Sequence, residues 1–118
     1  MKNKREIGTK FEEIAKKFLE GKNLVFIESN YYTKYGEIDL IFLQKNPRTI
    51  VFVEVKYRKN NNYGEAIEMV SKRKQEKIIK SSQIYLIKNR WRDNVRYDII
   101  GITGNNFVKN IDWIENAF

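Results

Sequence analysis

The chain has no cysteine, no histidine and a single proline, Pro47, in 118 residues. Without cysteine, disulfides and thiolate zinc sites are excluded and an intracellular setting is favoured. Without histidine, nuclease, hydrolase and metal chemistry built on imidazole is excluded too. Any catalysis must run on carboxylates, lysine, tyrosine or serine. No apolar run approaches the ~18 to 20 residues needed to cross a bilayer, and the N-terminal MKNKREIG lacks the apolar core of a signal peptide. These absences lead us to expect a soluble, cytoplasmic protein with no membrane partner. There are also no internal repeats, low-complexity stretches or linkers, so one domain spanning residues 1–118 is expected.

What the chain does have is charge. Twenty-three basic residues against 15 acidic ones give a net charge of +8, which suits a polyanionic partner, although solubility alone also accounts for such a balance.

Two apolar runs, Gly36 to Phe42 (GEIDLIF) and Ile50 to Arg58 (IVFVEVKYR), carry charged residues inside sequence otherwise suited to β-strands. The polar stretch between them contains Pro47 and reads as a turn, which makes the pair a β-hairpin. Alternation places Glu37, Asp39 and Ile41 on one face of the first strand and Phe52, Glu54, Lys56 and Arg58 on one face of the second. Ile38, Leu40 and Phe42 then share the opposite, core-facing side with Val51, Val53 and Val55. A four-residue loop, Lys45 to Arg48, sets Asp39 opposite Glu54 and Glu37 opposite Lys56.

Two carboxylates facing each other about 5 Å apart repel by about 3 kcal/mol at an effective dielectric near 20. A hard divalent cation such as Mg²⁺ relieves that repulsion, because it takes oxygen ligands and commonly uses one or two protein carboxylates. Lys56 points its ammonium at the same spot. The competing account is a charge ladder in which Glu37 pairs with Lys56 while Asp39 and Glu54 are solvated.

Elsewhere, Lys4 to Glu20 forms an amphipathic helix with the stripe Ile7, Phe11, Ile14, Ala15, Phe18 and Leu19, closed by Gly21. Glu12 falls at the border of this stripe, within reach of the sheet. Asn23 to Tyr32 reads as the first strand, and Gly36 as part of its turn. A polar loop, Lys59 to Gly64, follows the hairpin. A second helical region spans about Glu65 to Lys88, with Ser71 as an N-cap and Ile78, Ile79, Ser82, Tyr85 and Leu86 as its stripe. Lys72, Arg73, Lys77 and Lys80 spread over its solvated side, and Lys74 lies at the stripe's edge. With Arg58 and Lys59 they are candidates for phosphate contact; an ordinary solvated helix face explains the cluster as well. Asn89 to Asn94 is a turn in which Trp91 either stacks on a base or anchors to the core. Val95 to Ile102 and Phe107 to Ile114 are strands, and Arg96 and Asp98 read as a structural ion pair. The fold class is α/β, in the order α-β-β-β-α-β-β, with a mixed central sheet of about five strands flanked by helices.

GEIDLI followed by VFVEVKYR resembles the YraN family of small bacterial proteins, which is similar to Holliday-junction resolvases and assigned to the PD-(D/E)XK nuclease superfamily. The resemblance covers nearly the whole chain: Gly8, Glu12 and Ala15 match the family's first helix, Asn30 its first strand, Glu65, Ala66 and Lys74 the second helix region, Arg96 and Asp98 a later strand, and Asn116 to Phe118 its ending. It implies a restriction-endonuclease-like three-layer fold. It also puts the superfamily's metal ligands on Asp39 and Glu54, its catalytic lysine on Lys56 and its helical acid on Glu12. Two departures stand out: Ile38 occupies the position of the superfamily's name-giving proline, and Tyr32 that of an arginine.

The resulting expectation is a divalent-metal-dependent endonuclease that hydrolyses phosphodiesters in DNA rather than RNA, branched or structured DNA included. Asp39, Glu54 and the Val55 carbonyl would hold Mg²⁺ or Mn²⁺, with Glu12 completing the shell. Lys56 would act on the water or the transition state, and Glu37 would position Lys56 or hold a second ion. A resolvase-like enzyme cutting paired strands calls for a homodimer with two-fold symmetry. The alternatives are a non-catalytic nucleic-acid-binding or partner-docking protein on the same fold, and a scaffold whose charge only prevents aggregation.

Overall fold

The computed structural model describes residues 4–59, 68, 70–104 and 109–118. Helix α1 (Lys4–Gly21) is followed by strands β1 (Val25–Thr33), β2 (Gly36–Lys45) and β3 (Arg48–Arg58), helix α2 (Lys72–Lys88), and strands β4 (Asn94–Gly104) and β5 (Lys109–Ile114). The expected order is met. One five-stranded sheet runs β1-β2-β3-β4-β5; every neighbouring pair is antiparallel except β3 and β4, which lie parallel and bracket α2 as their crossover. The sheet is therefore mixed.

Two apolar clusters sit on the two faces of the sheet. On one, Phe11, Ala15 and Leu19 of α1 pack with Leu40, Phe42, Val51, Val53, Ile100 and Ile102. On the other, Ile78 and Tyr85 of α2 pack with Ile41, Ile50, Phe52 and Ile99. Each helix buries its apolar stripe against a face supplied by alternate strand residues, so helix, sheet and helix form three layers. Ser71 caps α2 as expected, its hydroxyl accepting from Lys74 N at 3.1 Å. The helix itself starts at Lys72. Most of the expected helical stretch before it, including Glu65 and Ala66, lies outside the described residues, as do 60–64 of the polar loop and 105–108 ahead of β5.

Pairing of β2 with β3 has the expected register, Leu40↔Val53 to Lys45↔Arg48, but the connection is shorter than expected. Lys45 and Arg48 are themselves paired, so the loop is the two residues Asn46 and Pro47, joined by a cis peptide. A cis proline in the third position closes a four-residue type VI turn, and proline tolerates the cis bond better than any other residue.

Alternation along β2 also departs from expectation. Leu40 and Phe42 pack in the core with Val51 and Val53 as expected, on the face covered by α1, but Ile38 joins the α2 cluster. Glu37 and Asp39 meet Glu12 of α1. The face assignment thus slips by one residue between Asp39 and Leu40. On the neighbouring strand Asn30 has a left-handed backbone, φ 53, between Ser29↔Leu40 and Tyr31↔Ile38. Asparagine is among the side chains that tolerate that backbone best, and the β1–β2 register itself shifts between Phe26 and Glu28.

Candidate metal centre

The slip turns three carboxylates from two elements toward one point. Oxygens of Glu12 on α1 and of Glu37 and Asp39 on β2 all lie within 4.8 Å of one another. Asn30 ties two of them together, its side-chain amide donating to Glu12 Oε1 at 3.0 Å and also to Glu37 Oε1. A cleft lined by Gly8, Thr9, Glu12, Asn30, Tyr32 and Glu37 opens onto this group.

Asp39 stands where the β2–β3 ladder ends. Beyond Leu40↔Val53 the Val55 N–H donates to Asp39 Oδ2 at 2.8 Å instead of to a backbone carbonyl across the gap. Glu54 follows Val53 on β3 and is 5% exposed; its Oε2 is buried and has no hydrogen-bond partner. Lys56 Nζ lies 3.9 Å from Glu54 Oε1.

The electrostatics follow from crowding and burial. Asp39 is held well above the usual carboxylate range, mainly by removal from water and then by the charges of Glu54 and Glu37, against the opposing Val55 hydrogen bond. Glu54 is raised chiefly by burial, which Lys74 and Lys56 partly offset. Glu12 is raised by burial and by Asp39 and Glu37, with the Asn30 hydrogen bond working the other way. Carboxylates gathered at such a cost are characteristic of functional sites.

These placements remove the charge ladder. Glu54 is buried rather than solvated, and the ion pair of Lys56 is with Glu54 on its own strand. Glu37 bonds Asn30, and among the described residues no Glu37–Lys56 ion pair forms. Asp39, Glu54, Lys56, Glu37 and Glu12 are all brought together; Val55 joins them by its N–H, which holds Asp39, and not by the carbonyl expected as a ligand.

The basic residues divide. Lys74 is half-buried, and its charge acts on Glu54, which sets the start of α2 beside the carboxylates. Lys59, Lys72, Arg73 and Lys77 are exposed. Arg58 is 6% exposed, and its Nε donates to Thr103 Oγ1 at 3.3 Å, so it braces β3 against β4 instead of lying open to a strand of nucleic acid. Trp91 is half-buried: Arg48 lies over its ring and its Nε1 donates to the Asn94 carbonyl, which makes it an anchor of the α2–β4 turn. Asp98 is wholly buried. It accepts both Arg96 Nε and Nη2, at 2.9 and 3.0 Å, as well as Trp113 Nε1 and Asn116 N, so it is the structural pair expected.

Periodicity gives no hint of the part played by Asn30. An asparagine inside a run of strand formers is the available signal, since that residue is depleted from strands unless the backbone needs it.

All the assembled donors are carboxylate oxygens, with no sulfur or imidazole, a set suited to Mg²⁺ or Mn²⁺. The orphaned Glu54 Oε2 and the raised carboxylates fit a cation that would satisfy the first and lower the second.

Relatives share this chain nearly end to end. A UPF0102 protein of Vibrio parahaemolyticus is 47% identical over 117 residues, covering 98% of this chain and 93% of its own length. One from Vibrio vulnificus is 48% identical over the same shares, and one from Nitrosospira multiformis 39% identical over 94% of this chain and 91% of its own. Residues 11–102, which carry most of α1, the hairpin, α2 and most of β4, match the Uncharacterised protein family UPF0102, and the chain belongs to that family, the YraN family whose resemblance the hairpin carries.

Proposed function

We propose that this protein is a divalent-metal-dependent endonuclease that hydrolyses phosphodiester bonds in DNA. The observation that carries the reading is Glu54, a charged side chain buried beside Asp39 with one oxygen that no protein group satisfies. Lys56 and Lys74 compensate part of the charge, but a buried carboxylate oxygen left without a donor still costs about 1–3 kcal/mol, and its retention favours a ligand from outside the polypeptide.

Asp39 and Glu54 would hold Mg²⁺ or Mn²⁺, with Glu12 and Glu37 completing the oxygen set directly or through water. When bound, the ion polarises the phosphate and lowers the pKa of a coordinated water. Val55 N–H fixes the rotamer of Asp39, and Asn30 fixes Glu12 and Glu37, so the ligands are oriented before the ion arrives. Lys56, held at the rim by Glu54, places its ammonium where negative charge grows as water adds to phosphorus and the bridging P–O bond breaks. One product end keeps the phosphate and the other a hydroxyl. Lys74 and the exposed bases of α2 supply the positive surface for the substrate backbone.

The test is incubation of the pure protein with linear, nicked, flapped and four-way DNA, with and without Mn²⁺. Metal-dependent cleavage of at least one substrate, lost in Asp39→Asn, is expected. Salt-dependent binding with no cleavage under any metal would replace the nuclease with a non-catalytic DNA-binding protein.

A further inference from the structure

The turn between β1 and β2 is pinned to α2, and two cations lie over the ring it carries. Thr33 Oγ1 lies 2.7 Å from Ser81 Oγ, accepts from Tyr35 N at 3.0 Å and donates to the Gly36 carbonyl at 3.3 Å, so the turn is clasped to the helix by one hydroxyl. Lys34 Nζ is 5.2 Å and Lys80 Nζ 5.4 Å from the centre of the Tyr35 ring. Among the described residues neither ammonium has a carboxylate within ion-pairing distance. Two like charges meeting at one aromatic ring with no counter-ion suit a ligand that brings both an anion and a flat surface.

This tip is next to the candidate metal centre. Tyr35 precedes Glu37 by two residues and Asp39 by four. Along α2, Lys74 acts on Glu54 while Ser81, seven residues later, clasps Thr33. At 1.5 Å per residue that is about 10 Å along the helix axis, a spacing of one or a few nucleotides.

We propose that Lys34, Tyr35 and Lys80 form a subsite for an unpaired nucleotide flanking the scissile phosphate, the lysines moving off the Tyr35 ring onto its phosphate as the base stacks in their place. This rests on the DNA-cleavage reading for its substrate class and narrows it to DNA with a single-stranded segment beside the cut. In a duplex the faces of the bases are stacked on one another, whereas a single strand offers them to an aromatic side chain.

The test is fluorescence anisotropy without divalent metal, using a labelled single strand, a duplex with a single-stranded overhang and a blunt duplex. Tyr35→Ala should weaken the first two at least about fivefold, the lower end of what one base–aromatic stack contributes, and the blunt duplex less than twofold. Tyr35→Phe should bind as wild type. Joint replacement of Lys34 and Lys80 by alanine should flatten the log–log salt slope on the single strand by about 0.7 for each phosphate no longer neutralised. Unchanged single-strand binding in Tyr35→Ala, equal weakening on all three probes, or weakened binding in Tyr35→Phe would each overturn the subsite, as would a wild type that binds none of the probes. A wild type that binds but does not cut with Mn²⁺ defeats the nuclease reading alone.

Discussion

Replacing Glu54 by glutamine should make the metal-free protein more stable, the reverse of what a substitution at a 5% exposed residue usually does. In the native chain Glu54 Oε2 is a buried acceptor with no donor, and such a group costs about 1–3 kcal/mol, more when charged. Lys56 at 3.9 Å and Lys74 offset part of that. Glutamine keeps the shape, removes the charge, ends the repulsion with Asp39 and offers an amide that can donate to the Asp39 carboxylate. A net gain of about 1–2 kcal/mol is expected. With unfolding entropy near 2.1 cal/mol/K per residue, that raises the melting temperature of a 118-residue domain by about 4–8 °C. Manganese should act in the other sense: at one hundred times its Kd it adds about 2.7 kcal/mol to the wild type, or about 11 °C, and little to the variant. Thermal unfolding in chelator and in Mn²⁺ at pH 7.5 measures both. If Glu54→Gln melts below wild type in chelator and still gains as much from Mn²⁺, Glu54 is not a metal ligand under strain and the argument is wrong.

Lys56→Met keeps the packing of the stem and removes the ammonium. It should retain Mn²⁺ and DNA binding yet slow single-turnover cleavage by about two to three orders of magnitude, and a rate within threefold of wild type would remove Lys56 from the mechanism. The pH dependence has a definite sign. Asp39 and Glu54 are raised in the fold above their ordinary values of 3.8 and 4.5, so the unfolded chain ionises first and the metal-free protein loses stability from these groups as pH rises through that window toward their folded values. The gain in melting temperature of Asp39→Asn over wild type should therefore shrink as pH falls from 7.5 to 4.5; a difference independent of pH would show that the folded pKa of Asp39 is not raised. Asp98→Ala strips a partner from the half-buried Arg96 guanidinium and from the N–H groups of Trp113 and Asn116. Urea unfolding should show a loss of about 3–5 kcal/mol, with Mn²⁺ affinity intact in the fraction that remains folded.

The hairpin is legible because alternation is local: a run such as IVFVEVKYR states which residues share a face, and its register survives an error of two residues in the loop, since Lys45 and Arg48 simply extend the same pairing. Alternation misplaces Ile38 because it assumes an uninterrupted pleat. The irregularities lie on the neighbouring strand, where Asn30 is left-handed opposite the slip and the register shifts between Phe26 and Glu28, a tertiary effect that no window around Ile38 contains. In sequence Arg58 looks open to solvent, since nothing in its own strand announces that Thr103, 45 residues on, will accept from it. Glu12 sits at the edge of an amphipathic stripe where composition alone gives no reason to single it out. The family resemblance supplies that reason, and the packing of α1 then brings its carboxylate to Asp39.

Val55 N–H gives the candidate centre a built-in spectroscopic reporter. Most amides in a sheet donate to carbonyls of nearly constant charge, so their resonances report only on geometry. This one donates to Asp39 Oδ2 at 2.8 Å, an oxygen whose electron density changes whenever the carboxylate gains a proton or coordinates an ion. In a nitrogen–proton correlation spectrum the Val55 cross-peak should move with pH and with Mg²⁺ while those of Val51 and Val53, in the same strand, stay put. A diamagnetic titration followed at that one resonance would measure occupancy of the centre without any substrate being known.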